Sequence, residues 1–200
     1  MQKVCFIGKD LIPEEIVLDR GEELDLTLIA LPGVSGDVPV RILLNGEGAS
    51  ARLFGLYLCN SDEQVKFGID LRHNVGGCFS RQLFKGIAGG SSKVDFYGKI
   101  YVRKDAQGTK AYQENHSILL SPGAQVETKP QLEIYADDVE CSHGATVGHF
   151  NDDELYYMQS RGIDKKNARR LQMISFISPV VEHITDEGQK QMIYDYLSEC

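Results

Sequence analysis

Cys141 and His143 are the pair of side chains in this sequence best suited to chemistry. They lie two positions apart in a segment typical of a β-strand, so both project from one face with attachment points about 6.5 to 7 Å apart. A thiolate and an imidazole suit iron or an iron–sulfur cluster. Two ligands leave the coordination incomplete, so a second protomer would have to complete it. The alternative is a buried cysteine beside a hydrogen-bonded histidine.

Other groups with catalytic potential are more typical of structural positions. Asp137 and Asp138 could be paired acid/base carboxylates, but adjacent strand residues face opposite sides, which favours a turn or surface role. The glycine pairs at 76–77 and 89–90 lack the lysine and hydroxyl residue that end a phosphate-binding loop. We therefore expect no nucleotide site in this chain. Four further histidines have no ligand spacing and are expected to pack or lie on the surface: His73, His116, His149 and His183.

Composition narrows the class of protein. The 200 residues suffice for one sizeable domain, and 29 acidic against 21 basic side chains give a net charge of -8, which disfavours nucleic acid and anionic lipid as partners. No window approaches the roughly 20 apolar residues of a membrane span, and the first apolar run ends at Gly8. The five cysteines are scattered without a close pair, which argues against a disulfide framework. We expect a soluble, cytoplasmic protein.

Short β-prone runs separated by turn-forming residues fill the chain up to about residue 150. Apolar and polar residues alternate at 23–28, so one face of that strand is expected to be exposed to solvent. The runs also recur at about 30 residues, as with Phe54 and Phe84 or Val65 and Val94, which suggests a solenoid. A β-sandwich remains the alternative. The predicted strands are ELDLTLIAL, VPVRILLNG, ARLFGLYLC, QVKFGIDLR, VDFYGKIYV, HSILLSPGA and LEIYADDVE.

From about residue 151 the pattern becomes helical. Asn151 and the acidic residues after it favour a helix start, Gly162 a helix end, and Asp164 and Asp186 the starts of two more helices. Pro179 is predicted to bend or end the second helix. The predicted apolar positions are Leu155, Tyr156 and Met158, then Ala168, Leu171, Ile174, Ser175, Ser178 and Val181, and finally Met192, Ile193, Tyr196 and Leu197.

Residues 132–148, LEIYADDVECSHGATVG, together with DDELYY at 152–157 and SRGI at 160–163, closely resemble the SufB/SufD core family of iron–sulfur cluster assembly. The resemblance runs from about Ser117 to Val181, with compatible strands back to about residue 20. It is closer to the SufD form, because Gly144 stands where SufB-type chains carry a glutamate. The resemblance implies a right-handed parallel β-helix over residues 1–150 and a short C-terminal α-helical region, for partner docking, over residues 151–200.

The resemblance also implies a function. The chain would be a non-catalytic scaffold subunit that works with a SufC-like ATPase bound to its helices. Two β-helices would pair through their last strands, either with a SufB-like chain or with a second copy, and Cys141 and His143 would handle a transient iron–sulfur cluster at that interface. The docking residues implied for the ATPase are Leu155, Tyr156, Arg161 and Gly162, beside a basic stripe of Lys165, Lys166, Arg169 and Arg170.

Two departures from the family pattern leave alternatives open. Ala124 stands in place of a cysteine that SufB-type chains contribute, and only about 20 residues precede the first predicted strand, which indicates a minimal form without the family's N-terminal region. Ala124 and Gly144 also favour a second reading, a purely structural SufD-like dimerisation partner that does not ligate the cluster. A β-helix carbohydrate enzyme ranks third, because the chain has no Trp and only scattered acidic residues.

Overall fold

The computed structural model describes residues 2–197, in which eleven strands precede three helices. The strands are β1 (Gln2–Phe6), β2 (Glu15–Leu18), β3 (Glu23–Ala30), β4 (Gly36–Leu44), β5 (Ser50–Cys59), β6 (Gln64–His73), β7 (Phe79–Ala88), β8 (Lys93–Val102), β9 (Thr109–Leu119), β10 (Gln125–Ile134) and β11 (Val139–Gly148). The helices are α1 (Asp152–Ser160), α2 (Lys165–Val181) and α3 (Glu187–Tyr196). None of these helices is long and apolar enough to cross a membrane.

Successive strands alternate between two parallel sheets. The first sheet has the order β1-β3-β5-β7-β9-β11, and the second sheet has the order β10-β8-β6-β4-β2. Two consecutive strands therefore make one turn of a coil, and the chain completes about five turns. A β-sandwich of the immunoglobulin type is built from antiparallel pairs instead. The structure thus confirms the predicted parallel β-helix with helices at its C-terminal end.

Apolar side chains in matching register fill the space between the two sheets. In the second sheet Val65 pairs with Val94, and Phe67 pairs with Phe96. All four side chains are fully buried. The recurrence of about 30 residues in the sequence therefore reports the length of one coil at these positions.

Aromatic rings in the interior alternate with glycines on neighbouring coils of the first sheet. Gly55 pairs with Phe84 and Gly86 pairs with Tyr57, and a Cβ atom at either glycine would overlap the facing ring. The predicted equivalence of Phe54 and Phe84 is therefore wrong by one residue. Phe84 lies inside the solenoid, whereas Phe54 faces outward and packs under the helices. A one-residue shift reverses the face because strand side chains alternate with a period of two.

Helices α2 and α3 cover the outer face of the first sheet. The strand side of this contact is Phe54, Leu56, Leu83 and Ile87, and the helix side is Met173, Ile177, Val180, Val181 and Ile193. The predicted apolar face of α2 was correct at Ala168 and Val181 but wrong at Leu171, which is 47% exposed. Pro179 does not end the helix at once, since α2 continues to Val181. Pro179 has no N–H to donate to the Ser175 carbonyl four residues before it, and the hydroxyl of Ser178 donates to that carbonyl instead.

The predicted helix starts and stop are confirmed. Asn151, Asp164 and Asp186 each accept a backbone N–H of the first turn, and Gly162 has a left-handed φ of +88° after α1. The apolar face predicted for α1 is correct at Leu155. It is wrong at Tyr156, whose side chain is 75% exposed.

His183 ties the end of α2 to the solenoid. Its Nε2 lies 2.7 Å from Oδ1 of Asp25 on β3, and its ring stacks on Phe54 with centroids 3.8 Å apart. Gln2 on β1 adds hydrogen bonds to the His183 carbonyl and to Thr185. The helical region is therefore fixed to the first coils of the solenoid as well as to its middle.

Several strand boundaries differ from the prediction. β1 already starts at Gln2, the first residue that the structure describes, so the expectation of about 20 residues before the first strand is wrong. The run predicted as one strand over 132–140 contains the end of β10, a turn at 135–138 and the start of β11. Ala124 lies in the turn after β9, not in a strand, because β9 ends at Leu119.

Candidate functional site

The last coil leaves one end of the solenoid open. β11 forms the edge of the first sheet and β10 the edge of the second, and each pairs with only one strand among the residues described. Side chains that face inward on these strands are only partly covered, including Val126 and Leu132, and Val147 is 41% exposed. Unpaired strand edges with apolar side chains are a ready surface for another chain.

Cys141 and His143 lie on β11 at this open end and share its inner face. Cys141 pairs with Ala111 and His143 with Gln113 on β9, and both partners are buried inside the solenoid. Cys141 is half-buried, whereas His143 is exposed. The sequence prediction that the two side chains project together therefore agrees with their geometry.

Partial burial sets the acid–base state of the thiol. Desolvation raises the pKa of Cys141 above its ordinary value, and a hydrogen bond from the Ala111 backbone offsets only part of that effect. The thiol is therefore neutral near pH 7, and a metal or a positive charge must promote its ionisation before it can act as a ligand. The His143 side chain makes no hydrogen bond within residues 2–197, so its ring nitrogens are free to engage an incoming group.

The donor set fits iron only in part. A cysteine sulfur and a histidine nitrogen match the preferences of iron, but within the described residues no group of three or more Cys, His, Asp or Glu side chains could hold a metal ion. Two ligands from β11 supply half of a four-coordinate set. The site is chemically complete only with ligands from outside this chain.

A layer of buried polar side chains lies one coil below Cys141 and His143. Gln113 Nε2 donates to Gln82 Oε1 over 2.9 Å, Asn115 Nδ2 donates to Thr128 Oγ1 over 3.0 Å, and Ser117 bonds the Tyr57 hydroxyl. Sequence analysis missed this layer because β9 is polar on both faces. The signal that could have found it is register, since a step of 30 residues back from His143 leads to Gln113.

The other histidines have partners within the chain. The His73 side chain is fully buried against Ser80, and burial lowers its pKa to about 4. His116 bonds Thr146 on the outer face, and His149 bonds the Leu119 carbonyl. With His183 bound to Asp25, these four side chains have structural contacts.

The two candidate carboxylates Asp137 and Asp138 occupy the exposed turn before β11. The backbone N–H of Asp138 donates to the side-chain carbonyl of Gln107. Their position matches the turn role expected from sequence.

Comparison with known proteins identifies the chain. Residues 13–176 match the family described as SUF system FeS cluster assembly, SufBD core domain, which is more than four-fifths of the sequence. The chain belongs to the SufBD family. The match includes β11 and both candidate ligands, together with α1 and most of α2.

Relatives place this SufBD family member near SufD. It is 41% identical over 150 residues to the iron-sulfur cluster assembly protein SufD of Escherichia coli strain K12, covering 75% of this chain and 36% of that protein. It is 39% identical over 163 residues to the chloroplastic protein ABCI7 of Arabidopsis thaliana, covering 80% and 34%. A SufBD family protein of Mycobacterium leprae is 28% identical over 188 residues, covering 90% and 45%. The chain thus spans between about a third and a half of these relatives' lengths.

The four residues expected near the docking surface of this SufD-like chain differ in how exposed they are. Leu155 is 7% exposed and so holds α1 in place, while Tyr156 is open to contact. Arg161 is exposed and lies over the Tyr157 ring at 5.2 Å. Gly162 has no atom within 4 Å of the position a Cβ would take.

A groove of about 820 Å³ runs between α1 and α2. Its apolar walls include Phe150, Met158 and Phe176, and its polar rim includes Asp153 and Glu154. In the basic stripe, Lys165 and Lys166 are exposed and Arg169 and Arg170 are half-buried. This face of the helices therefore presents both apolar and charged groups.

Proposed function

We propose that this chain is a non-catalytic scaffold subunit of an iron–sulfur cluster assembly complex. Its last strand offers Cys141 and His143 at a seam with a neighbouring chain, where iron and sulfur are gathered and then released as cargo. The observation that carries this proposal is the placement of both donors on the inner face of an unpaired edge strand at the open end of the solenoid.

The open end supports pairing with a second β-helix. Backbone groups along the free edge of β11 lack strand partners among the described residues, and partly exposed apolar side chains line the opening. A two-fold axis through this edge would bring two ligand sets together, one from each protomer. The neighbour is a SufB-like chain or a second copy of this chain, and only the joined pair has a full ligand set.

The helices supply the second contact. We place a SufC-like ATPase on the face formed by Tyr156, Arg161 and Gly162, with Leu155 holding α1 from beneath. Because α2 packs directly on the first sheet, movement imposed on the helices can reach the strands. ATP hydrolysis belongs to that partner, and its motion would change the exposure of the seam.

The buried thiols support a reducing compartment. Cys5, Cys59 and Cys78 are free and buried, and burial raises the pKa of Cys59 to about 12. Such thiols persist in a reducing compartment, which supports placing the complex in the cytoplasm.

Replacement of His143 tests the ligand role. The complex is purified without oxygen from cells that express His143→Ala, and its iron and acid-labile sulfide are measured per protomer. We expect both to be lost while the subunits still co-purify. His116→Ala is the matched control, because His116 lies on the neighbouring strand but faces outward. Wild-type iron and sulfide in His143→Ala would refute the ligand role.

A second candidate function is that of a structural partner without cluster ligation. It is favoured by the incomplete ligand set within the described residues and by Ala124 and Gly144 at positions where SufB-type chains differ. The double variant Cys141→Ser with His143→Ala separates the two functions. A structural partner retains the cluster in the assembled complex, whereas a ligating scaffold loses it.

A further inference from the structure

Two buried amides lead through the solenoid towards His143. Gln82 on β7 and Gln113 on β9 are direct register partners in the first sheet. They are joined by the 2.9 Å hydrogen bond from Gln113 Nε2 to Gln82 Oε1, and both are at most 1% exposed. β11 places His143 next in the same register. We call Gln82 and Gln113 the amide column.

The amide column has a direction, because Gln113 Nε2 donates to Gln82 Oε1. In a stacked amide ladder each side chain donates to one neighbour and accepts from the other. Gln113 donates towards β7, so its carbonyl is available for the coil that β11 begins. That Oε1 is buried and has no hydrogen-bond partner among the described residues, and the His143 imidazole has none either. A buried acceptor without a donor is costly, so a donor at this place is favoured.

We propose that Gln113 is a positioning residue for His143. Its Oε1 accepts the N–H of one imidazole nitrogen and turns the other nitrogen towards the neighbouring chain. The inference rests on the proposed function, because it assigns the second nitrogen to iron. A neutral imidazole carries one N–H, so a fixed acceptor selects both the tautomer and the ring orientation. Histidines that bind metals generally donate their other N–H in this way.

Asn115 provides a matched control on the same strand. It is fully buried, donates Nδ2 to Thr128 Oγ1 over 3.0 Å and leaves its own Oδ1 without a partner. Its register partner on β11 is Ala145, whose side chain has no donor. Asn115→Ala therefore removes a comparable buried amide without touching the amide column.

The tautomer of His143 is the direct readout. The chain is labelled with ¹⁵N-histidine, and the His143 signals are assigned by their loss in His143→Gln. We expect imidazole shifts of one dominant tautomer in the wild type and shifts of a different tautomer mixture in Gln113→Met, which keeps length but lacks the acceptor. Asn115→Ala should keep the wild-type pattern. Identical shifts in wild type and Gln113→Met overturn the proposal.

Iron retained by the assembled complex is the second readout. Loss of a partner behind a metal ligand typically weakens metal binding about 10- to 100-fold, so Gln113→Met should lose iron on that scale. Failure of the two proposals is distinguishable. Unchanged nitrogen shifts refute the role of Gln113 alone. Iron that survives both His143→Ala and Gln113→Met refutes the ligand role, and the positioning role falls with it.

Discussion

The clamp at His183 predicts how firmly the helices are held on the solenoid. His183→Ala removes the contact of 2.7 Å with Asp25 and the ring stacking on Phe54 at 3.8 Å. A hydrogen bond to a charged group contributes about 1.5–3 kcal/mol and an aromatic pair about 0.5–1.5 kcal/mol. We take about 3 kcal/mol for both, which for a chain of this size lowers Tm by about 6–12 °C.

The assay is thermal unfolding followed by circular dichroism, with hydrogen exchange of α2 measured in parallel. His116→Ala is a closely matched control, because the His116 and His183 side chains are each 24% exposed. The hydrogen bonds of the His116 side chain are to Thr146 on β11 and Glu114 on β9, so its removal should leave exchange in α2 unchanged. Equal Tm changes for the two variants, with equal protection of α2, would refute the reasoning that His183 holds the helices.

Three further outcomes follow from the structure. Gly86→Ala should destabilise the fold by about 1–3 kcal/mol in chemical denaturation, because the added methyl overlaps the Tyr57 ring. Burial lowers the folded-state pKa of His73 to about 4, below its unfolded value. The free energy of unfolding should therefore fall as pH drops from about 6.5 to 4. In chemical denaturation repeated at each pH, His73→Gln should abolish about 3 kcal/mol of that fall. Iodoacetamide should alkylate half-buried Cys141 before buried Cys59, and alkylation of Cys141 should become faster as pH rises towards 9. Mass analysis of the peptides measures the order, and modification of Cys59 first would contradict this prediction.

Local sequence signals predicted the helix boundaries well. Asp164 and Gly162 act through side-chain and backbone chemistry that depends only on the nearest residues. The buried face of α2 could not be predicted so well, because it depends on where the first sheet lies. Leu171 satisfies helical spacing, yet the sheet contacts Met173 and Ile177 instead. Tertiary packing decided that choice.

The strand pattern predicted the solenoid but not its register. Val65 and Val94 pair as their spacing suggests, whereas Phe54 and Phe84 differ by one residue and so lie on opposite faces. The coil length varies from turn to turn, and a period of two makes each such change reverse a side chain.

The candidate ligands could be found from residue type and spacing, but their surroundings could not. Cys141 and His143 share a strand, so local geometry brings them together. Gln113 lies one coil away, and only the register of β9 with β11 places it beneath His143.

X-ray absorption at the iron edge of the complex purified without oxygen tests the central claim most directly. If His143 on the open edge strand ligates the iron at the seam, the wild-type spectrum contains a nitrogen scatterer beside sulfur, and His143→Ala loses that nitrogen contribution in whatever iron remains. An iron spectrum with the same nitrogen contribution in both complexes would contradict the account.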